Sequence, residues 1–254
     1  MTHTFDVAAV LFDNDGTLVD SYEGIMNSWT AWAIEHEITA EQLTGHDGRS
    51  TSEIVRGLIP AERVDASLAR IDALEVANAH QTVAAPGARE ALEALPAHAW
   101  AVATSGIRTV ASARLAAAGL PVPDVLVCSD DVPRAKPAPD IFLRAASLLG
   151  VAAEDCLVVE DAPFGVTAAR AAGCAVLGVT STVAAAALGG ADAVVAGLDE
   201  ARFEQVGGRI RITVPGLISE RAAAATPGRT WNDGDDDTGG TIATDAAGGI
   251  RPTE

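Results

Sequence analysis

Short, almost wholly apolar runs recur along this chain, each followed by room for one helix, and this rhythm constrains the fold more than any other feature. The runs cover residues 7–12, 100–103, 125–128, 156–159, 175–179 and, more weakly, 193–195. A strand that is apolar on both sides must be covered on both faces, which is the condition of a parallel sheet. Helical segments fit between the runs at 88–95, 109–118, 139–149 and 163–172. The third of these has proline at its start and Gly150 at its end, and Gly119 and Gly173 close two others. Proline at the first turn and glycine just past the last are helix start and stop signals. The alternation predicts an α/β fold: a Rossmann-like parallel sheet with helices on both faces.

Residues 20–84 break the rhythm. They carry helical periodicity and no convincing strand. Trp29, Trp32 and Ala33 share a face with Ile25 and Met26, and Leu68, Ile71, Leu74 and Val76 recur near helical spacing. This stretch reads as an all-helical domain inserted after the first strand, with GHDGRS at 45–50 as its polar, glycine-rich turn. The core is then expected at 1–19 and 85–214. After Val214 the composition shifts to Gly, Thr, Asp and Ala, with DGDDDTGG at 233–240. Residues 215–254 read as a flexible tail, and the acidic run as a solvated one.

Charge narrows the function. The formal net charge is −18, which disfavours binding to nucleic acid or to an anionic membrane. The chain has 17 basic residues, and only one of them, Lys136, is lysine. A lone lysine in an arginine-biased chain is a candidate for a compact point charge where a planar fork does not fit. Cys128, Cys156 and Cys174 lie far apart beside apolar runs, without metal-type spacing, and read as reduced core residues of a cytoplasmic protein. No signal peptide or uncharged run of membrane-spanning length is expected. No coiled-coil seam points to an oligomeric state.

The first apolar run empties into Asp13-Asn14-Asp15-Gly16-Thr17. In open parallel sheets, ligands bind beyond the carboxyl ends of the strands. Two carboxylates placed there, two residues apart, suit covalent chemistry at phosphorus. One attacks and forms an acyl phosphate. The other protonates the leaving oxygen and then activates water.

The stretch LFDNDGTLVDS resembles the first motif of the haloacid dehalogenase superfamily, Asp-x-Asp-x-Thr/Val after a strand. Three further family motifs follow in order: AVATSG with Thr104 and Ser105, AKPAPD with Lys136, and VVEDAPFGVTAARAAG with Glu160 and Asp161. The resemblance covers about residues 5–213 and implies a Mg²⁺-dependent phosphatase acting on a small phosphorylated metabolite. In that reading Asp13 is the nucleophile and Asp15 the acid–base, with its backbone carbonyl on the metal. Thr104 and Ser105 hold phosphoryl oxygens, and Lys136 neutralises charge. Asp13, Asp161 and, directly or from behind, Glu160 hold the ion. The helical insertion sits where family members carry a cap that closes over the site, and His46, Asp47 and Arg49 on its polar turn are the expected substrate contacts.

Two departures stand out: Arg134-Ala135 where glycine usually precedes the lysine, and Asn14 where the residue between the aspartates is usually apolar. Within the family, the segment around Trp29 and Trp32 and the EDAPFGV motif resemble bacterial sugar phosphatases, so sugar or polyol phosphates are the expected substrates. The alternative is a β-phosphoglucomutase-like isomerase. That branch typically has Val where this chain has Thr17, and a histidine where it has Ile25. A dehalogenase would lack the second aspartate.

Overall fold

The computed structural model describes residues 2–43, 50–225, 243–244 and 250–251. Side chains along the central strands alternate between two faces, and that alternation builds the core. The chain opens with β1 (His3–Val7) and β2 (Ala9–Phe12). A short ribbon strand, β3 (Val19–Asp20), then leads into the helical insertion. The insertion comprises α1 (Tyr22–His36), α2 (Ala40–Leu43), α3 (Thr51–Leu58) and α4 (Val64–Asn78). The chain returns through β4 (Val83–Ala84) to α5 (Ala88–Glu93) and β5 (Trp100–Ala103). Next come α6 (Arg108–Ala117), β6 (Leu126–Val127) and α7 (Asp140–Leu149). The last part of the sheet is β7 (Cys156–Glu160), α8 (Pro163–Ala171), β8 (Ala175–Val179) and β9 (Ala193–Val195).

The main sheet has the order β6-β5-β2-β7-β8-β9, and all its pairs are parallel. Its two faces differ in side-chain size. Val10, Phe12, Trp100, Val102, Leu157 and Val159 point to one face, with Phe12 edge-on to Trp100. Ala9, Leu11, Ala101, Ala103, Cys156 and Val158 point to the other. Small side chains there let α7 and α8 approach closely, and Phe142 of α7 fills the space that remains. All three cysteines are free and buried.

The apolar run at 7–12, expected as one strand, is divided at Ala8. Its first part, β1, pairs with the hairpin β10 (Arg202–Val206) and β11 (Arg209–Val214) in the order β1-β11-β10. This antiparallel sheet lays Phe5, Val7, Phe203, Ile210 and Ile212 over the bulky face of the main sheet. The Gly207-Gly208 turn, in which both glycines have positive φ, closes the hairpin.

The insertion has its own core, in which Trp29 packs edge-on to Trp32 beside Ile54, Val55 and Ile71. The Trp32 indole N–H donates to the Ser67 hydroxyl at 2.9 Å, which explains a serine on the buried stripe of α4. That stripe is Val64, Ser67, Ile71 and Glu75; Val76, expected on the apolar face, is exposed. The two linkers joining insertion and sheet pair with each other, Val19 opposite Ala84 and Asp20 opposite Val83.

Past Val214 the chain stays on the sheet for another ten residues. Leu217 and Ser219 exchange backbone hydrogen bonds with Val194, and Ser219 caps the short helix α9 (Glu220–Ala224). The tail expected from residue 215 is therefore joined to the sheet edge as far as α9. Two short strands beyond it, β12 (Ala243–Thr244) and β13 (Ile250–Arg251), pair antiparallel. Among the described residues no helix is long and apolar enough to cross a membrane.

Candidate active site

Parallel register brings the carboxyl ends of β2, β5 and β7 side by side, since Phe12 lies opposite Val102 and Val159. Asp13 and Thr104 directly follow β2 and β5, and Glu160 ends β7 with Asp161 next, so three sequence-distant motifs converge on one edge. Lys136 arrives from the loop before α7. Its ammonium donates to Asp13 Oδ1 at 2.5 Å and to Glu160 Oε1 at 2.7 Å. Lys136, Asp13, Glu160, Asp161 and Thr104 are all buried.

The Arg134-Ala135 departure leaves that reach intact. Arg134 forms a two-pronged ion pair with Asp140 at the start of α7, at 3.1 and 2.8 Å, and so ties the lysine loop to the helix it precedes.

Both oxygens of Glu160 are committed. Oε1 accepts from Lys136, and Oε2 accepts the backbone N–H groups of Asp161 and Ala162, both at 2.9 Å. Gly165, in the first turn of α8, makes room for this carboxylate; a Cβ there would lie 1.6 Å from Glu160 Oε1. Asp161 is held differently. Its Oδ2 accepts from the Thr182 hydroxyl at 2.6 Å and its Oδ1 from the Thr17 hydroxyl at 3.4 Å. Gly16 closes that side: its φ is +83°, and a Cβ would meet Asp161 Oδ2 at 2.2 Å. The Ser181 hydroxyl donates to the Gly16 carbonyl, fastening the loop after β8 to the first motif.

Three buried carboxylates, Asp13, Glu160 and Asp161, thus surround one ammonium. Burial, helped by repulsion from Glu160 and Asp161, holds the Asp13 carboxyl well above the usual range despite Lys136. Burial and then Glu160 push Asp161 up to about 7. Burial works against the Lys136 ammonium, but Asp13 and Glu160 outweigh it and raise its pKa. A cluster with this excess of negative charge and carboxylate oxygens suits a hard divalent cation.

A second acidic group, Cys128, Asp130 and Asp131, lies beyond β6. It contains none of the expected ligands. Burial pushes the Cys128 thiol up to about 12, and Asp131 is engaged by Arg108 at 2.6 Å.

Asp15 is only partly buried and faces a separate set of partners. Its Oδ1 accepts from the Ser21 hydroxyl at 2.6 Å and from Arg114 Nη1 at 3.0 Å; its Oδ2 accepts from the Asn14 amide at 3.3 Å. The N–H groups of Thr17, Leu18 and Val19 all turn back onto the Asn14 carbonyl, and none uses that of Asp15. Thr104 accepts the Gly106 N–H on its hydroxyl at 3.1 Å, and Ser105 beside it is half-buried. Ile25 lines a cavity of about 390 Å³ together with Asp15, Ser21 and Pro86, between the two linkers. His46, Asp47 and Arg49 lie outside the described residues.

A haloacid dehalogenase-like hydrolase family model matches residues 7–173, a span that includes all four motifs. The chain belongs to the haloacid dehalogenase-like hydrolases. It is 37% identical to hexitol phosphatase A of Escherichia coli over 196 residues, which is 75% of this chain and 91% of that protein. A hydrolase from Pseudomonas syringae superposes with a TM-score of 0.66 at 30% identity, covering 75% of this chain and 94% of the other. The β-phosphoglucomutase of Clostridium difficile shares the fold, with a TM-score of 0.66 at 21% identity over 76% of this chain and 92% of that one.

Sequence reasoning missed Glu75, Arg114, Ser21 and Thr182. Arg114 had a signal: it falls on the buried stripe of α6, with Val110, Ala111 and Leu115.

Proposed function

We propose that this chain is a Mg²⁺-dependent phosphatase that hydrolyses small phosphomonoesters, sugar or polyol phosphates, through a phosphoryl group carried on Asp13. The observation that carries this reading is the buried Lys136 bridging Asp13 and Glu160 at the strand ends, with Asp161 beside them. The hexitol phosphatase relative supports the substrate class.

Asp13 attacks phosphorus with the oxygen that Lys136 does not hold, and the bond from phosphorus to the alcohol oxygen breaks. Asp15 gives its proton to that oxygen as it leaves. It then takes a proton from water, which attacks the acyl phosphate and returns Asp13 with free phosphate. Lys136 and the Thr104 hydroxyl offset charge on the transferring oxygens. Asp13, Asp161 and the Asp15 carbonyl would hold Mg²⁺, which supplies Lewis-acid charge neutralisation. Glu160, with both oxygens engaged, acts behind them by orienting Lys136.

The shared fold of β-phosphoglucomutase keeps an isomerase as the second reading. Thr17, which hydrogen-bonds Asp161, and Ile25 at the linker cavity favour the hydrolase. The test is phosphate release from a panel of sugar, polyol and nucleotide monophosphates, with Mg²⁺, with chelator and with Asp13→Asn. Release that requires both Mg²⁺ and Asp13 is expected. Isomerised hexose phosphate without free phosphate would establish the mutase instead.

A further inference from the structure

Arg114 is almost wholly buried, yet it belongs to neither the phosphate-facing motifs nor the metal cluster. It projects from α6, the core helix that follows the Thr104 loop, and its guanidinium forks. Nη1 donates to Asp15 Oδ1 at 3.0 Å, and Nη2 donates to Glu75 Oε1 at 3.1 Å. Glu75 is itself buried and lies in the last turns of α4, which belongs to the cap and packs against α6. One cation therefore joins a core helix, a cap helix and the second aspartate of the first motif.

The cost of this arrangement argues for a role. The Arg114 guanidinium and the Glu75 carboxylate give up most of their hydration here, and Asp15 gives up part of its own, a cost that a well-packed apolar cluster would avoid. The other buried positions on α6 are Val110, Ala111 and Leu115, so Arg114 is the one charge on an otherwise apolar face.

The geometry also says what the guanidinium does to Asp15. Oδ1 receives two strong donors, Arg114 from the core and Ser21 from the first cap linker. Oδ2 has only the Asn14 amide at 3.3 Å and lies on the side of Gly106 and the Thr104 loop; a Cβ on Gly106 would come 4.0 Å from it. One carboxylate oxygen is anchored, and the other is presented towards the phosphoryl pocket.

We propose that Arg114 is a positioning residue that makes leaving-group protonation by Asp15 depend on a docked cap, with Glu75 as the cap's half of the link. With α4 against α6, Glu75 sets the plane of the guanidinium, and the guanidinium sets Asp15. If the cap moves away, Glu75 leaves and Asp15 loses its orientation. Proton donation is then effective only when a substrate is enclosed. This inference rests on the reading of Asp15 as the acid.

Protonation matters in proportion to the basicity of the leaving oxygen. A sugar or alkyl alkoxide needs it; 4-nitrophenolate hardly does. The experiment measures kcat/KM, which reports phosphoryl transfer to Asp13, for phenyl phosphate, 4-nitrophenyl phosphate and a hexitol phosphate. The enzymes are wild type, Arg114→Met, Arg114→Lys, Glu75→Gln and Asp15→Asn, all with Mg²⁺. Arg114→Met is expected to lose about 100-fold on the hexitol and phenyl esters and less than about tenfold on the nitrophenyl ester, within the range of a general acid's contribution. Glu75→Gln should show the same selectivity at about tenfold, and Arg114→Lys should recover part of the loss. Glu75→Gln removes only a charge from the cap, so it carries the test if Arg114→Met does not fold. Equal losses on all three esters for both variants would reduce Arg114 to a packing role and overturn the proposal. If Asp15→Asn itself lacks the selectivity, the assignment of Asp15 as the acid falls. If Asp15→Asn has it and the Arg114 and Glu75 variants do not, only the inference falls.

Discussion

Two buried cations divide the candidate active site, and each is shared by two carboxylates. Lys136 joins Asp13 to Glu160, and Arg114 joins Asp15 to Glu75. The stoichiometry is the same, and the setting is not. The lysine pair lies wholly inside the α/β core, next to a third carboxylate, Asp161. The arginine pair straddles core and cap. The lysine is a point charge where two oxygens converge from adjacent strand ends, and Phe142 places its ring 5.1 Å from that ammonium. The arginine is a fork spanning two acceptors on different elements. In the proposed mechanism the first arrangement fixes charge where phosphorus is attacked. In the same mechanism the second would let cap movement be felt at Asp15, the proposed proton donor.

The largest expected effect breaks the lysine side. Asp13→Asn should abolish turnover while leaving the fold intact, with near-wild-type circular dichroism and melting. Retention of more than a few per cent of activity would remove Asp13 from the nucleophile role. Lys136→Arg should come next, with kcat lower by roughly 100-fold, because a planar group cannot occupy the point between Asp13 Oδ1 and Glu160 Oε1. A mild effect in steady-state kinetics would mean that a point charge and a planar fork are interchangeable at this position.

Gly165→Ala tests whether Glu160 acts through Lys136. The added Cβ collides with the Glu160 carboxylate, so kcat should fall by about tenfold or more with KM little changed. An unchanged kcat would show that Glu160 placement is unimportant. Mg²⁺ sharpens the same side. Saturating ion should raise the melting temperature of wild type, by up to about 2.7 kcal/mol of stabilisation at 100 times the Kd, and chelator should reverse it. Asp161→Asn should lose most of that rise, whereas Arg114→Met should keep it.

The smallest effect lies away from both cations. Arg209 hydrogen-bonds Asp6 of β1 and Asp155, joining the small sheet to the segment before β7. Its hydrogen bonds hold both carboxyls below the usual range. A lowered folded pKa gives stability that is complete above the unfolded value, about 3.9, and is lost as pH falls through the folded value. Arg209→Ala should therefore lower the melting temperature slightly at pH 7, and the gap should narrow as pH falls below about 3.9. A gap that stays constant down to acid would point to lost packing of the arginine stem instead.

The four ordered motifs, the alternation of apolar runs with helices and the lone lysine were enough to place the parallel sheet, the helical insertion and the residues at the strand ends. These are local facts: a run apolar on both faces can only be buried, and a strand end in such a sheet points at the ligand side. The division of the first run at Ala8 was not legible, because pairing of β1 with β11 depends on a partner some 200 residues away in the chain. Glu75 was not legible, and the place of Arg114 on the apolar stripe of α6 was a signal without a meaning, because apolar periodicity treats a polar residue on a buried stripe as noise. Their meaning arises only when α4 and α6 meet. The commitment of both Glu160 oxygens depends on the gap left by Gly165 and on backbone N–H groups of its own turn, so only the folded chain decides that Glu160 serves the lysine. Residue type and order settle which side chains stand at the strand ends. Tertiary packing settles which charges share a partner, because a buried charge takes its role from whatever the fold brings within hydrogen-bond reach.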